Sequence, residues 1–177
     1  MNNKEKVLLH KGMDKVKRME FLDALEIFER VLTMNPQIPD AWNNKGVALF
    51  RLGRPEEALE CYARAQEIEP ENLDALRNRA FVLRSLGRME EALETYDTVL
   101  QKGGDAIDLE STAFVLTALG RLEEAINCLL LARDKAPLDR FETEIEQLKG
   151  MIEQKRSEAD SVPGESSADE ENSEGKE

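Results

Sequence analysis

A phrase that recurs in register constrains this chain more than any other feature. LGRPEEALECY (52–62) returns as LGRMEEALETY (86–96) and LGRLEEAINCL (119–129), the starts lying 34 and then 33 residues apart. A weaker copy lies upstream, where Gly12 matches Gly46 and FLDALEIFE (21–29) matches PEEALECYA (55–63). Self-similarity at such a period means one supersecondary unit, stacked. Residues 40–72 show which unit. Ala41, Lys45, Ala48 and Leu52 recur at helical spacing, and Ala58, Tyr62, Ala65 and Ile68 do so again. Gly53 stands where a first helix needs a left-handed C-terminal residue, and Pro55 where a second can start without its N–H. Pro70 closes the unit. Each helix is too short to bury its apolar stripe alone, so every hairpin depends on its neighbours.

That period, with Trp42, Gly46, Ala58, Tyr62, Ala65 and Pro70 in one unit, resembles the tetratricopeptide repeat (TPR) family over residues 5–139. The resemblance implies an all-α, right-handed α-solenoid of helix-turn-helix repeats at 5–38, 39–72, 73–105 and 106–139. It also implies a non-catalytic scaffold that binds a partner protein, as a peptide or helix, on a concave face built from the first helix of every repeat. Carried over position by position, that groove offers Met13, then Asn43, Asn44, Val47 and Phe50, then Arg77, Asn78, Phe81 and Arg84, and finally Phe114. Leu9, Val16, Ile107, Glu110, Ser111 and Thr117 adjoin them. The row Met13, Val47, Phe81, Phe114 is apolar in every repeat, and an exposed apolar track of that extent marks a binding surface. Phe81 is expected at its energetic centre, with Leu86 facing the core. The alternative reading is a structural module that self-associates with no foreign ligand. Chaperone-binding members of the family hold a C-terminal carboxylate in a basic and amide clamp. The clamp places here are Leu9, Met13, Asn44, Asp74 and Asn78, or one repeat on Asn43, Val47, Asn78, Ile107 and Ser111. Neither set supplies a Lys or Arg to pair a carboxylate. An Hsp70 or Hsp90 C-terminal peptide is therefore not the expected partner.

The copies differ in instructive places. Met19 stands where later repeats have the turn glycine. Lys11, Lys45 and Arg79 share one position, where long basic stems can lie on apolar surface with their heads in water. Gly103-Gly104-Asp105 replaces the closing proline of the third repeat: the glycines can end a helix and Asp105 can cap the next. After Asp139 the period stops. Asp139 and Glu142 form a capping-box pattern, and Phe141, Ile145, Leu148 and Ile152 make one apolar stripe. Residues 140–156 thus read as a helix capping the last repeat. From Ser157 to Glu177 the chain carries eight Asp/Glu against Lys176 alone, too few apolar groups to order itself, and is expected to be a disordered acidic tail.

That tail accounts for about half of the formal net charge of −13. What remains leaves no basic face for nucleic acid or an anionic membrane. No apolar run approaches spanning length, so the chain reads as cytoplasmic. Chemistry is hard to find. His10 is the single histidine, and Cys61 and Cys128 lie two repeats apart, beyond disulfide reach. No metal site and no cofactor are expected. The pairs Glu56-Glu57, Glu90-Glu91 and Glu123-Glu124 open second helices, where the backbone dipole favours negative charge. No phosphate-binding glycine loop occurs, since each LGR is a helix-to-helix turn.

Overall fold

The computed structural model describes residues 1–136 and 138–161, with side chains through Glu158. Among the described residues there are nine helices and no strand: α1 (Asn3–Lys17), α2 (Phe21–Met34), α3 (Pro39–Arg51), α4 (Pro55–Ile68), α5 (Leu73–Ser85), α6 (Met89–Gln101), α7 (Ala106–Ala118), α8 (Leu122–Lys135) and α9 (Asp139–Ser161). Successive pairs close into hairpins, each second helix packs on the next first helix, and α1 touches α3 as α3 touches α5. α9 packs on α8. Contact passes from neighbour to neighbour, which makes the molecule an α-solenoid.

The repeated phrase works as the sequence implies. Gly53, Gly87 and Gly120 end their helices at φ +78°, +75° and +75°. Met19 takes the same place in the first hairpin at φ +62°, where a Cβ crowds the following carbonyl and costs about 1–2 kcal/mol. The turn is kept even though its residue is wrong. Within hairpins the helices close on a ring: a Cβ added to Gly12 would lie 2.6 Å from Cε1 of Phe28, and one added to Gly46 the same distance from Cε1 of Tyr62. Those rings are fully buried, so the glycines set how closely α1 meets α2 and α3 meets α4. Ala80 and Ala113 hold the corresponding places further on, both buried.

The two ends are finished differently. Lys15 stands where Leu49, Leu83 and Leu116 are buried in later hairpins, and it pairs with Asp23 at 2.7 Å and with Glu20. Those bonds, to Asp23 first, hold the Lys15 ammonium above its ordinary range. At the other end Phe141, Ile145 and Leu148 are buried against the last hairpin. The expected capping box at Asp139 does not form. The helix already includes Asp139, and Glu142 pairs instead with Arg133 at 2.8 Å. α9 also runs to Ser161, so the first five residues expected to be disordered are helical; the rest of that acidic segment, 162–177, lies outside the described residues. Leu86 is not a core residue: it caps α5 at its C-terminus and is 37% exposed, while Leu83 is buried. Among the described residues no helix is long and apolar enough to cross a membrane.

Candidate partner-binding groove

Of the sequence-predicted residues, the structure joins Phe50, Phe81, Arg84 and Phe114 through ring contacts and Asn43 with Asn78, while Met13 and Val47 pack on the cores of their own hairpins. Met13, Val47 and Phe50 are half-buried, whereas Phe81 is 44% and Phe114 56% exposed. The apolar row therefore opens toward its C-terminal end. Asn43 is buried and accepts a hydrogen bond at 2.9 Å from Nδ2 of Asn78, a contact between neighbouring first helices. Asn44 donates to the Asp40 carbonyl one turn back. Leu9 is buried and belongs to the first hairpin's core rather than to the groove.

At the open end the rings form a ladder. Phe50 and Phe81 meet edge to face, centroids 5.7 Å apart. The guanidinium carbon of Arg84 lies 5.2 Å from the Phe81 centroid and 4.7 Å from that of Phe114. One arginine thus sits between two aromatic rings from adjacent repeats, a favourable cation–π placement. Among the described residues no carboxylate lies within ion-pair distance of Arg84. Beside it opens a cleft of about 430 Å³, lined by Arg84, Ser111, Phe114 and Thr117 and, across from them, by Glu144, Gln147, Leu148 and Met151 of α9. Burial, reinforced by the charge of Glu110, raises the Glu144 carboxyl above its ordinary range, against the pull of Arg140.

The sequence implies a cap for α9 and nothing more, yet α9 also supplies one wall of this cleft. Its signal was present as a second stripe, Glu144, Gln147 and Met151, at helical spacing beside the buried one. Arg77 is also placed differently from a free groove residue. It donates to Asp108 from Nε at 2.8 Å and from Nη2 at 2.6 Å, with Asp105 at 3.3 Å. Asp108 is 3% exposed. Burial pushes its carboxyl up, but the Arg77 hydrogen bonds, the Asp105 N–H at 2.9 Å and the Arg77 charge outweigh that and hold it below the usual carboxylate range. Arg77 is a strut between the third and fourth hairpins.

Elsewhere the polar groups have structural occupations. Burial pushes the Cys61 thiol up to about 11, and it raises that of Cys128 too, the opposite of what a nucleophile needs. His10 is exposed and its Nδ1 lies 2.7 Å from the Lys6 carbonyl. The second glutamate of each pair answers to an arginine of its own turn: Arg54 grips Glu57, Arg88 grips Glu91 and Arg121 grips Glu124, each through two bonds of 2.6–2.7 Å. Among the described residues no three His, Cys, Asp or Glu side chains converge in a way that could hold a metal ion.

Stacked helical hairpins in neighbour-to-neighbour contact define a helical-repeat solenoid. More closely, the sequence profile of the tetratricopeptide repeat matches residues 39–72, the second hairpin, and solved structures share the fold of the chain. MamA from Desulfovibrio magneticus RS-1 superposes with a TM-score of 0.78 at 18% identity, over 90% of this chain and 92% of that one. PilF of Pseudomonas aeruginosa gives 0.72 at 17% identity, over 88% and 70%. The first TPR of Spaghetti (RPAP3), bound to the HSP90 peptide SRMEEVD, gives 0.64 at 22% identity, over 68% and 96%. Curated protein sequences give no significant match.

Proposed function

We propose that this protein is a non-catalytic cytoplasmic scaffold that captures a peptide or helix of a partner protein in its concave groove, centred on Phe81, Arg84 and Phe114. The observation that carries this reading is Arg84 held between two exposed phenylalanines beside a cleft floored by apolar groups. Folding alone gives no reason to leave rings of that size half uncovered, and buried aromatic and arginine anchors carry much of the energy at protein interfaces. Two features argue against a chaperone C-terminal peptide as the partner. The clamp places hold no Lys or Arg, and Asn78 is already engaged by Asn43. The test is affinity capture from the native lysate with wild-type protein and with Phe81→Ala/Phe114→Ala. A specific partner is lost from the double variant while its melting curve stays close to wild type. Capture that is unaffected by the double change would move binding off the groove. Light scattering of the protein alone separates this reading from self-association, which predicts a dimer or larger at micromolar concentration.

A further inference from the structure

Building on that groove, we infer that its occupant is an amphipathic helix whose acidic and basic side chains are segregated onto opposite flanks. In the second and third repeats the two lips of the groove carry opposite charge. One lip is made by the last turns of the first helices: Lys17, Arg51 and Arg84. Among the described residues Arg51 and Arg84 have no carboxylate within ion-pair distance, and Lys17 has only Asp14 at 3.8 Å. The other lip is made by the starts of α3, α5 and α7, with Asp40, Asp74 and Asp105, while Lys6 holds the matching place in α1. Asp74 and Asp105 share Arg77 with the more tightly held Asp108, three carboxylates to one guanidinium, and Asp40 has no ion pair among the described residues. Helix dipoles oppose this polarity with only about half a charge at each end, so the difference between the lips persists.

Dimensions select a helix to lie between them. Asp40 to Arg51 and Asp74 to Arg84 are eleven and ten residues along straight helices, which puts the lips about 15–17 Å apart at 1.5 Å per residue. A helix with its side chains is about 10–12 Å across. α1 touches α3 and α3 touches α5, while α5 and α7 are bridged at their groove face by Arg84. A helix advances about 10.8 Å in two turns, so a stripe with one apolar residue every second turn covers the four rungs Met13, Val47, Phe81 and Phe114 in about 20 residues. The acidic flank faces Arg51 and Arg84 and the basic flank faces Asp40 and Asp74, which also sets the direction in which the helix runs.

The probe is a synthetic helical peptide of about 20 residues with a leucine stripe, glutamates on one flank and lysines on the other. It is compared with a peptide of the same composition whose Glu and Lys alternate across both flanks, and with a segregated peptide carrying a central proline. Binding to the full chain is followed by fluorescence anisotropy. The segregated helix is expected to bind about tenfold more tightly than the alternating one, with the advantage lost in high salt, on proline insertion, and in Arg51→Glu/Arg84→Glu. Asp40→Lys, on the other lip, gives the same loss by an independent change. Equal affinities for the two charge patterns, both weakened by Phe81→Ala, would overturn the flank assignment and leave the groove reading standing. Equal binding of the proline peptide would overturn the helical form. Binding to neither pattern, or binding indifferent to Phe81→Ala, would overturn the groove reading and this inference together.

Discussion

Replacing Asp108 by asparagine tests how the third and fourth hairpins are held at a fixed angle. The carboxylate is almost wholly buried, takes two short bonds from Arg77 and a third from the Asp105 N–H. Asparagine preserves the shape and can keep at most one of the Arg77 bonds, while the guanidinium falls back on Asp105 at 3.3 Å and Asp74 at 3.7 Å. Hydrogen bonds to a charged partner are worth about 1.5–3 kcal/mol each. Arg77 is a third exposed, so solvent screening brings the expected loss down to about 2–3 kcal/mol in total. For a chain of this size that is a fall in Tm of about 4–12 °C. The sign with pH is fixed by the depressed carboxyl. Its stabilisation is complete above the unfolded carboxyl's value, about 3.9, and disappears as pH falls through the lower folded value. Thermal melts from pH 7 to pH 2 should therefore show wild type and Asp108→Asn separated at neutral pH and converging in acid. Hydrogen exchange should place the lost protection in α7 to α9. Equal melting at pH 7, or a gap that persists undiminished in acid, would refute the strut.

Three further outcomes follow from the fold. Met19→Gly should stabilise by about 0.5–1 kcal/mol, because relief of the left-handed strain exceeds the added freedom of the unfolded chain; a lower Tm would count against the turn geometry. Gly46→Ala should destabilise by about 1–3 kcal/mol despite alanine's better helix propensity, since its methyl would press on a fully buried Tyr62 ring. A neutral result there would mean α3 and α4 separate easily. Phe141→Ala should cost about 3–5 kcal/mol and expose α8 to early proteolysis; unchanged melting and cleavage would show that α9 is not docked.

How far the sequence could be read depended on whether an interaction lies within one repeat or between two. Leu52-Gly53 and the Phe141, Ile145, Leu148 stripe are local, and periodicity exposes them, whereas the packing of Tyr62 on Gly46 emerges only in the structure. Arg77 and Asp108 are 31 residues apart, and their meeting depends on how one hairpin turns on the next, which a spacing pattern does not carry. The cleft wall on α9 is hidden in the same way, because its apolar stripe implies one buried face and carries no sign of what the neighbouring stripe meets. Leu86 failed for a different reason. The leucine before the turn glycine falls on the apolar period, yet as the residue that caps the helix its side chain leaves the core just where the chain reverses. Helix dipoles account for the glutamate pairs at the level of sequence, and the structure adds a partner for the second of each, the arginine that precedes the helix.

The groove itself is tested most directly by calorimetric titration of the captured partner into Phe81→Ala, with thermal melts alongside. Phe81 is substantially exposed, so its truncation should leave Tm nearly unchanged and weaken binding by about 1–3 kcal/mol, a factor of about 5–150 in Kd. Leu83, buried two residues away on the same helix, is the control: Leu83→Ala should lose about 2–5 kcal/mol of stability and bind normally wherever it remains folded. Phe81→Ala that binds like wild type, or that melts as far below it as Leu83→Ala does, would contradict the account.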